Sequence, residues 1–64
     1  MKKVTMQSKL KDGTVYTVKG IVENYIYNYK HNVIGYSVKY AEDKMKECMF
    51  ENYKVVEESE YNPL

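Results

Sequence analysis

The 64-residue chain has no arginine and no tryptophan, and only one cysteine, one histidine and one proline. Without arginine there is no planar guanidinium fork to grip guanine or a phosphate through two parallel hydrogen bonds. A single cysteine closes no internal disulfide, which points to the cytoplasm or to indifference about redox. One Cys and one His fall short of the four ligands of a structural zinc, and no cofactor is implied. The glycines, Gly13, Gly20 and Gly35, stand alone and form no phosphate-cradling loop. No apolar run approaches the ~20 residues that span a bilayer. Met1-Lys2-Lys3 leads into alternating Val4-Thr5-Met6-Gln7 rather than the apolar block of a signal peptide. The expectation is a cytoplasmic chain with no membrane partner.

What remains is a globular composition. Hydrophobic residues make up 44% and charged residues 30%, a balance that argues against a wholly disordered chain, and 7.6 kDa allows one domain. All ten cationic residues are lysine, and there are eight tyrosines. Lysine in place of arginine, with abundant Tyr and Asn, is the usage of an A+T-rich genome, such as that of a low-GC Gram-positive bacterium or its phages.

The first segment alternates, with Val4, Met6, Ser8 and Leu10 on one face and Thr5, Gln7, Lys9 and Lys11 on the other, as in a half-buried strand. Asp12-Gly13 predicts a type I′ turn, and Thr14 to Lys19 alternates again, so a β-hairpin is expected. Gly20 interrupts the next strand pattern and marks a bulge or a bend that would let one strand serve two sheets. Ile21 to Tyr29 is β-prone, Lys30-His31-Asn32 reads as a turn, and Val33 to Tyr40 as another strand.

Ala41 to Tyr53 reads two ways. Ala41, Met45, Cys48, Met49 and Tyr53 have helical spacing, giving a ββαβ layout with a helix over 41–52. Alternatively, Glu42-Asp43-Lys44 turns into a strand Met45–Phe50 with Cys48 and Phe50 inward. The helix lacks an N-cap residue before Ala41. Val55-Val56 makes a short last strand, and an acidic tail over 59–64 is expected to fray.

Gly20-Ile21-Val22, Tyr36-Ser37-Val38-Lys39-Tyr40, Glu42-Asp43 and Phe50-Glu51-Asn52-Tyr53-Lys54-Val55-Val56, taken in order, resemble small SH3-like barrels, including Tudor and KOW-type domains. The resemblance spans roughly residues 15–57. It implies an all-β domain over 1–58, a five-stranded SH3-like barrel with a single 3₁₀ turn before the last strand. The turn after Tyr40 lacks the usual glycine, and the tryptophan of peptide-binding SH3 domains is absent, so proline-motif recognition is not implied. A closed barrel would gather Val4, Met6, Leu10, Val18, Val22, Ile34, Val38, Phe50 and Val55 inside, with Phe50→Ala costing about 3–5 kcal/mol.

Chemistry is sparse. Cys48 with His31 is the sole nucleophile–base pair available, and a small core thiol beside a solvated turn histidine explains both residues better. The expectation is therefore a non-enzymatic module. Tyr25, Tyr27 and Tyr29, spaced by two, form an aromatic row suited to recognition, with Glu42, Asp43, Glu47 and Glu51 as an acidic rim toward a basic partner. This favours docking on, and sterically inhibiting, a host or defence protein, as an anti-CRISPR of a phage or mobile element does. The rival is nucleic-acid binding through Lys9, Lys11 and Lys19 with the tyrosines, since residues 1–40 carry net +5 and 41–64 net −4. Self-association through an open edge or a tyrosine patch is a third outcome.

Overall fold

The computed structural model describes residues 1–62, which form five strands: β1 (Lys2–Lys9), β2 (Val15–Tyr27), β3 (Val33–Ala41), β4 (Lys44–Met49) and β5 (Lys54–Glu60). All pair antiparallel in one sheet of order β4-β3-β2-β1-β5. The protein is all-β, and the alternative helix over 41–52 does not form. Residues 42–43 turn and β4 follows at once, because Met45, Glu47 and Met49 alternate with Lys46 and the buried Cys48.

The expected barrel is not closed by hydrogen bonds: β4 and β5 end the sheet as free edges. Curling alone encloses the core. Val4 and Met6 of β1, Val22 of β2, Tyr36 and Val38 of β3, and Cys48 of β4 form one buried cluster. Of the expected interior, Leu10 and Phe50 are exposed, and Val18, Ile34 and Val55 are half-buried. Leu10 has left the strand for the loop. Phe50 lies past the end of β4, its ring edge-on to Tyr36 at 5.1 Å rather than beneath it.

The first hairpin is present, but its turn is longer than two residues. Leu10 N–H donates to Thr14 O, Gly13 N–H donates to Leu10 O, and Gly13 alone takes positive φ, at 92°. The second hairpin repeats this pattern from Asn28 to Asn32, with His31 at φ 65° where glycine is the cheaper residue. Asn28 Oδ1 accepts the N–H groups of Lys30 and Asn32, so β2 stops at Tyr27 and the turn starts before Lys30.

β2 changes partners along its length. Its first half, Val15 to Ile21, pairs with β1, and its second half, Ile21 to Tyr27, pairs with β3. Gly20 sits at the handover, where an added Cβ would lie 2.0 Å from the Lys39 carbonyl oxygen. The bulge lies three residues on: Val22 opposes Val38 and Asn24 opposes Ser37, leaving Glu23 unpaired. That extra residue brings Val22 and Tyr25 to the same, inward face.

Before β5, Asn52 N–H and Tyr53 N–H both donate to Met49 O, at 3.0 and 2.8 Å, forming a single tight turn where a 3₁₀ turn was expected. A second bulge follows, since Thr5 opposes Glu57 while Met6 opposes Val55. β5 continues through Ser59 and Glu60, which pair with Lys3 and Lys2. Of the tail expected over 59–64, Pro63 and Leu64 lie outside the described residues.

Urea unfolding should show Met6→Ala to be costlier than Phe50→Ala, and Phe50→Ala milder than a closed barrel would make it. Met6→Ala, at a fully enclosed position, costs about 2–5 kcal/mol. Phe50→Ala costs only roughly 1–2 kcal/mol, the worth of a half-exposed ring and one edge-to-face contact. Gly20→Ala forces backbone against backbone and costs about 3 kcal/mol or more. A Gly20→Ala protein that melts like wild type would show that β2 and β3 do not approach this closely.

Candidate binding surfaces

Two aromatic surfaces lie at opposite ends of the curled sheet. The first surrounds the β2–β3 turn. Tyr25 stands opposite Tyr36 in the ladder with ring centroids 5.3 Å apart, and Phe50 meets Tyr36 from the other side. Tyr27 opposes Val33, and both are exposed. Tyr29 is in the turn rather than on the strand and is 87% exposed, with Lys30 Nζ 5.7 Å from its ring. The row of three is thus two strand residues and one turn residue, continued by Val33 and Phe50.

Most of the acidic rim expected beside this row lies elsewhere. Glu42 and Asp43 occupy the β3–β4 turn, at the far end of β3 from Val33. Glu47 opposes Ser37, which alternates with the inward Tyr36 and Val38, so Glu47 belongs to the outer face. The structure does not gather these three carboxylates with the tyrosines, whereas Glu51, the fourth of the expected rim, stands near the patch, as does Lys30.

Lys2 of β1 ties β5 to the aromatic pair on β2 and β3. Its ammonium pairs with the Glu58 carboxylate of β5 and lies 5.8 and 5.6 Å from the Tyr25 and Tyr36 ring centroids. The hydrogen bond to Glu58 is the main cause that raises its pKa above the ordinary lysine value. Partial desolvation opposes that shift, and the Tyr36 phenol adds to it. The ammonium therefore stays charged throughout the neutral range.

The second surface is a groove of about 730 Å³ at the opposite end. Tyr16, Tyr40, Tyr53, Leu10, Lys19 and Lys46 line it, together with the polar Ser8 and Asn52. Tyr16 opposes Ser8, whose small side chain leaves the wall open, and Tyr40 is brought alongside where β3 crosses Gly20. Tyr16, Tyr40, Tyr53 and Lys46 were not read from the sequence as a site. The only local signal was the small Ser8 among larger inward residues.

The three lysines of the nucleic-acid reading are spread out. Lys9 ends β1 opposite Val15, Lys11 is in the first turn, and Lys19 opposes Thr5 on β2 and reaches the groove lining. Lys9 lines a neighbouring depression that shares Asn52 and Tyr53 with the groove. Asp12, beside Lys11, accepts Thr14 N–H at 2.9 Å, and that bond holds its carboxyl below the usual value.

Cys48 and His31 are not brought together. Cys48 is fully enclosed in the core, its Sγ 3.8 Å from the Lys46 carbonyl oxygen, and burial raises its pKa. His31 is exposed in the second turn. Among the described residues no three His, Cys, Asp or Glu side chains converge as a metal site would require.

The enclosed thiol should react with a disulfide reagent such as DTNB only as fast as the protein opens, and at once in denaturant. Rapid native-state labelling at pH 7 would contradict the burial of Cys48. No family model, no curated protein and no solved structure matches the chain.

Proposed function

We propose that this chain is a non-catalytic binding module, SH3-like in architecture, that docks on a host or defence protein and acts by obstruction in the cytoplasm. Its strand order, the long β2 shared between two partners, and the tight turn before β5 all support the SH3-like reading. The docking reading rests on one observation. Tyr25, Tyr27, Tyr29, Val33 and Phe50 are all exposed around one end of the sheet. So much apolar surface in one place on a small protein marks an interaction site, and tyrosine contributes contact area at little entropic cost. Of the expected acidic rim Glu51 stands at the margin of this patch, with Lys30, while Glu42, Asp43 and Glu47 lie away from it. A steric inhibitor needs no more chemistry than this.

The test is affinity capture from a low-GC Gram-positive lysate with two baits, wild type and Tyr27→Ala/Tyr29→Ala. Both rings project from the rim, so the variant should keep its melting temperature. A partner retained by wild type and depleted about tenfold or more with the variant is expected, as for loss of hot-spot residues. Identical recoveries from the two baits would overturn the reading. So would concentration-dependent sedimentation of the pure protein that the same double substitution abolishes, because the patch would then be a self-association surface.

A further inference from the structure

We infer that the groove between Tyr16 and Tyr40 is a binding site for single-stranded nucleic acid, separate from the tyrosine patch at the other end of the sheet. The inference stands whether or not that patch docks a protein. Three of the eight tyrosines, Tyr16, Tyr40 and Tyr53, line this groove, and the first two are about half-exposed at 54% and 49%. Rings held half out of a wall offer faces to flat unpaired bases, and stacking of this kind tolerates any base sequence. The volume, about 730 Å³, falls among sites that accept flat organic groups.

The charges point the same way. Lys19 and Lys46 line the groove, and no carboxylate does. Lys9 and Lys54 belong to a neighbouring depression with Phe50 and Glu51, on the face of β1 that carries Gln7, and are not counted with the groove. Two ammonium groups in a groove without an acid suit a phosphate backbone, and lysine suffices because nonspecific strand binding needs point charges rather than guanidinium forks. An extended acidic peptide would share this charge match, but it has no use for half-exposed rings as stacking faces, which unpaired bases do.

The probe is a fluorescein-labelled 15-mer of thymidylate, titrated with the full chain between low and physiological salt. With about two phosphates neutralised, log K should fall against log salt with a slope near −1.4, and Lys46→Gln should make it shallower by about 0.7. Tyr16→Ala and Tyr40→Ala should each weaken binding roughly 5- to 100-fold and leave the slope unchanged, because stacking releases no counterions. Amide shifts of the wild-type protein on adding the oligonucleotide should concentrate at Ser8, Tyr16, Tyr40, Lys46 and Asn52, a readout independent of whether any variant folds. Absence of binding at low salt overturns the inference. Polyglutamate binding as tight as the oligonucleotide also overturns it, as do shifts confined to residues 28–32.

Discussion

The contact of β2 with β3 at Gly20 is the constraint on which the rest of the molecule depends. A thirteen-residue strand passes from one neighbour to the other at this point, and the Lys39 carbonyl occupies the space where any side chain would begin. Only hydrogen fits there. Because the backbones come this close, the sheet curls instead of lying flat, and Val4 and Met6 of β1 reach Val38 and Cys48 on strands that β1 never pairs with. A flat five-stranded sheet of this length would leave that face wet. The curl also opens the groove, since it is Tyr40, next to Lys39, that comes to stand over the first half of β2.

Curling without closure leaves two margins to be managed. β1 and β5 bring the basic start of the chain against its acidic end: Lys2 opposes Glu60, Val4 opposes Glu58, and the terminal ammonium meets the Glu60 carboxylate at 3.1 Å. The opposite charges of the two halves of the sequence are thereby brought side by side along this ladder. Lys2 extends this pairing inward, from Glu58 to the Tyr25 and Tyr36 rings, so an ion pair and two aromatic faces span a gap that no ladder crosses. The outer edges keep charges of their own, Lys44, Lys46 and Glu47 on β4 and three glutamates on β5, which discourages edge-to-edge pairing with other chains.

The features legible in the sequence were those with a local cause. Period-2 alternation located β1 and β3, Asp12-Gly13 located the first hairpin, and the isolated Gly20 located the bend. The strand 44–49 was harder, because Ala41, Met45, Cys48 and Met49 satisfy a helical period equally well. What decides it is Cys48, packed with Tyr36 and Val38 of β3, a relation that spacing along the chain does not contain. The bulge expected at Gly20 lies three residues further on for a similar reason. Glu23 shifts the inward set by one residue, so a consistent face from Val22 to Tyr25 looks like broken alternation until β3 is in place. The tyrosine row was misread at its end because Asn28, an ordinary strand-tolerated residue by position, turns its carboxamide onto two backbone N–H groups and stops β2. The acidic rim failed at Glu42 and Asp43 because strand length, not sequence distance, separates them from the tyrosines.

The placement of the tyrosines carries the remaining argument. A chain of this size hides only about 60% of its unfolded surface, so exposed apolar residues are unavoidable, and scattered ones mean little. Six of the eight tyrosines are not scattered. Tyr36 is buried and Tyr61 stands apart beside Met1; the two at the β2 end and the one in its turn flank Phe50 and Val33, while Tyr16, Tyr40 and Tyr53 share a groove at the other end. Stability is served by six enclosed side chains, none of them an exposed ring. Lys19 and Lys46 are the charged residues of the groove lining, whereas Lys30 and Glu51 together stand at the patch, so the two linings differ in charge. A curled open sheet has two rims, and this sequence furnishes each with aromatic rings and a different electrostatic setting.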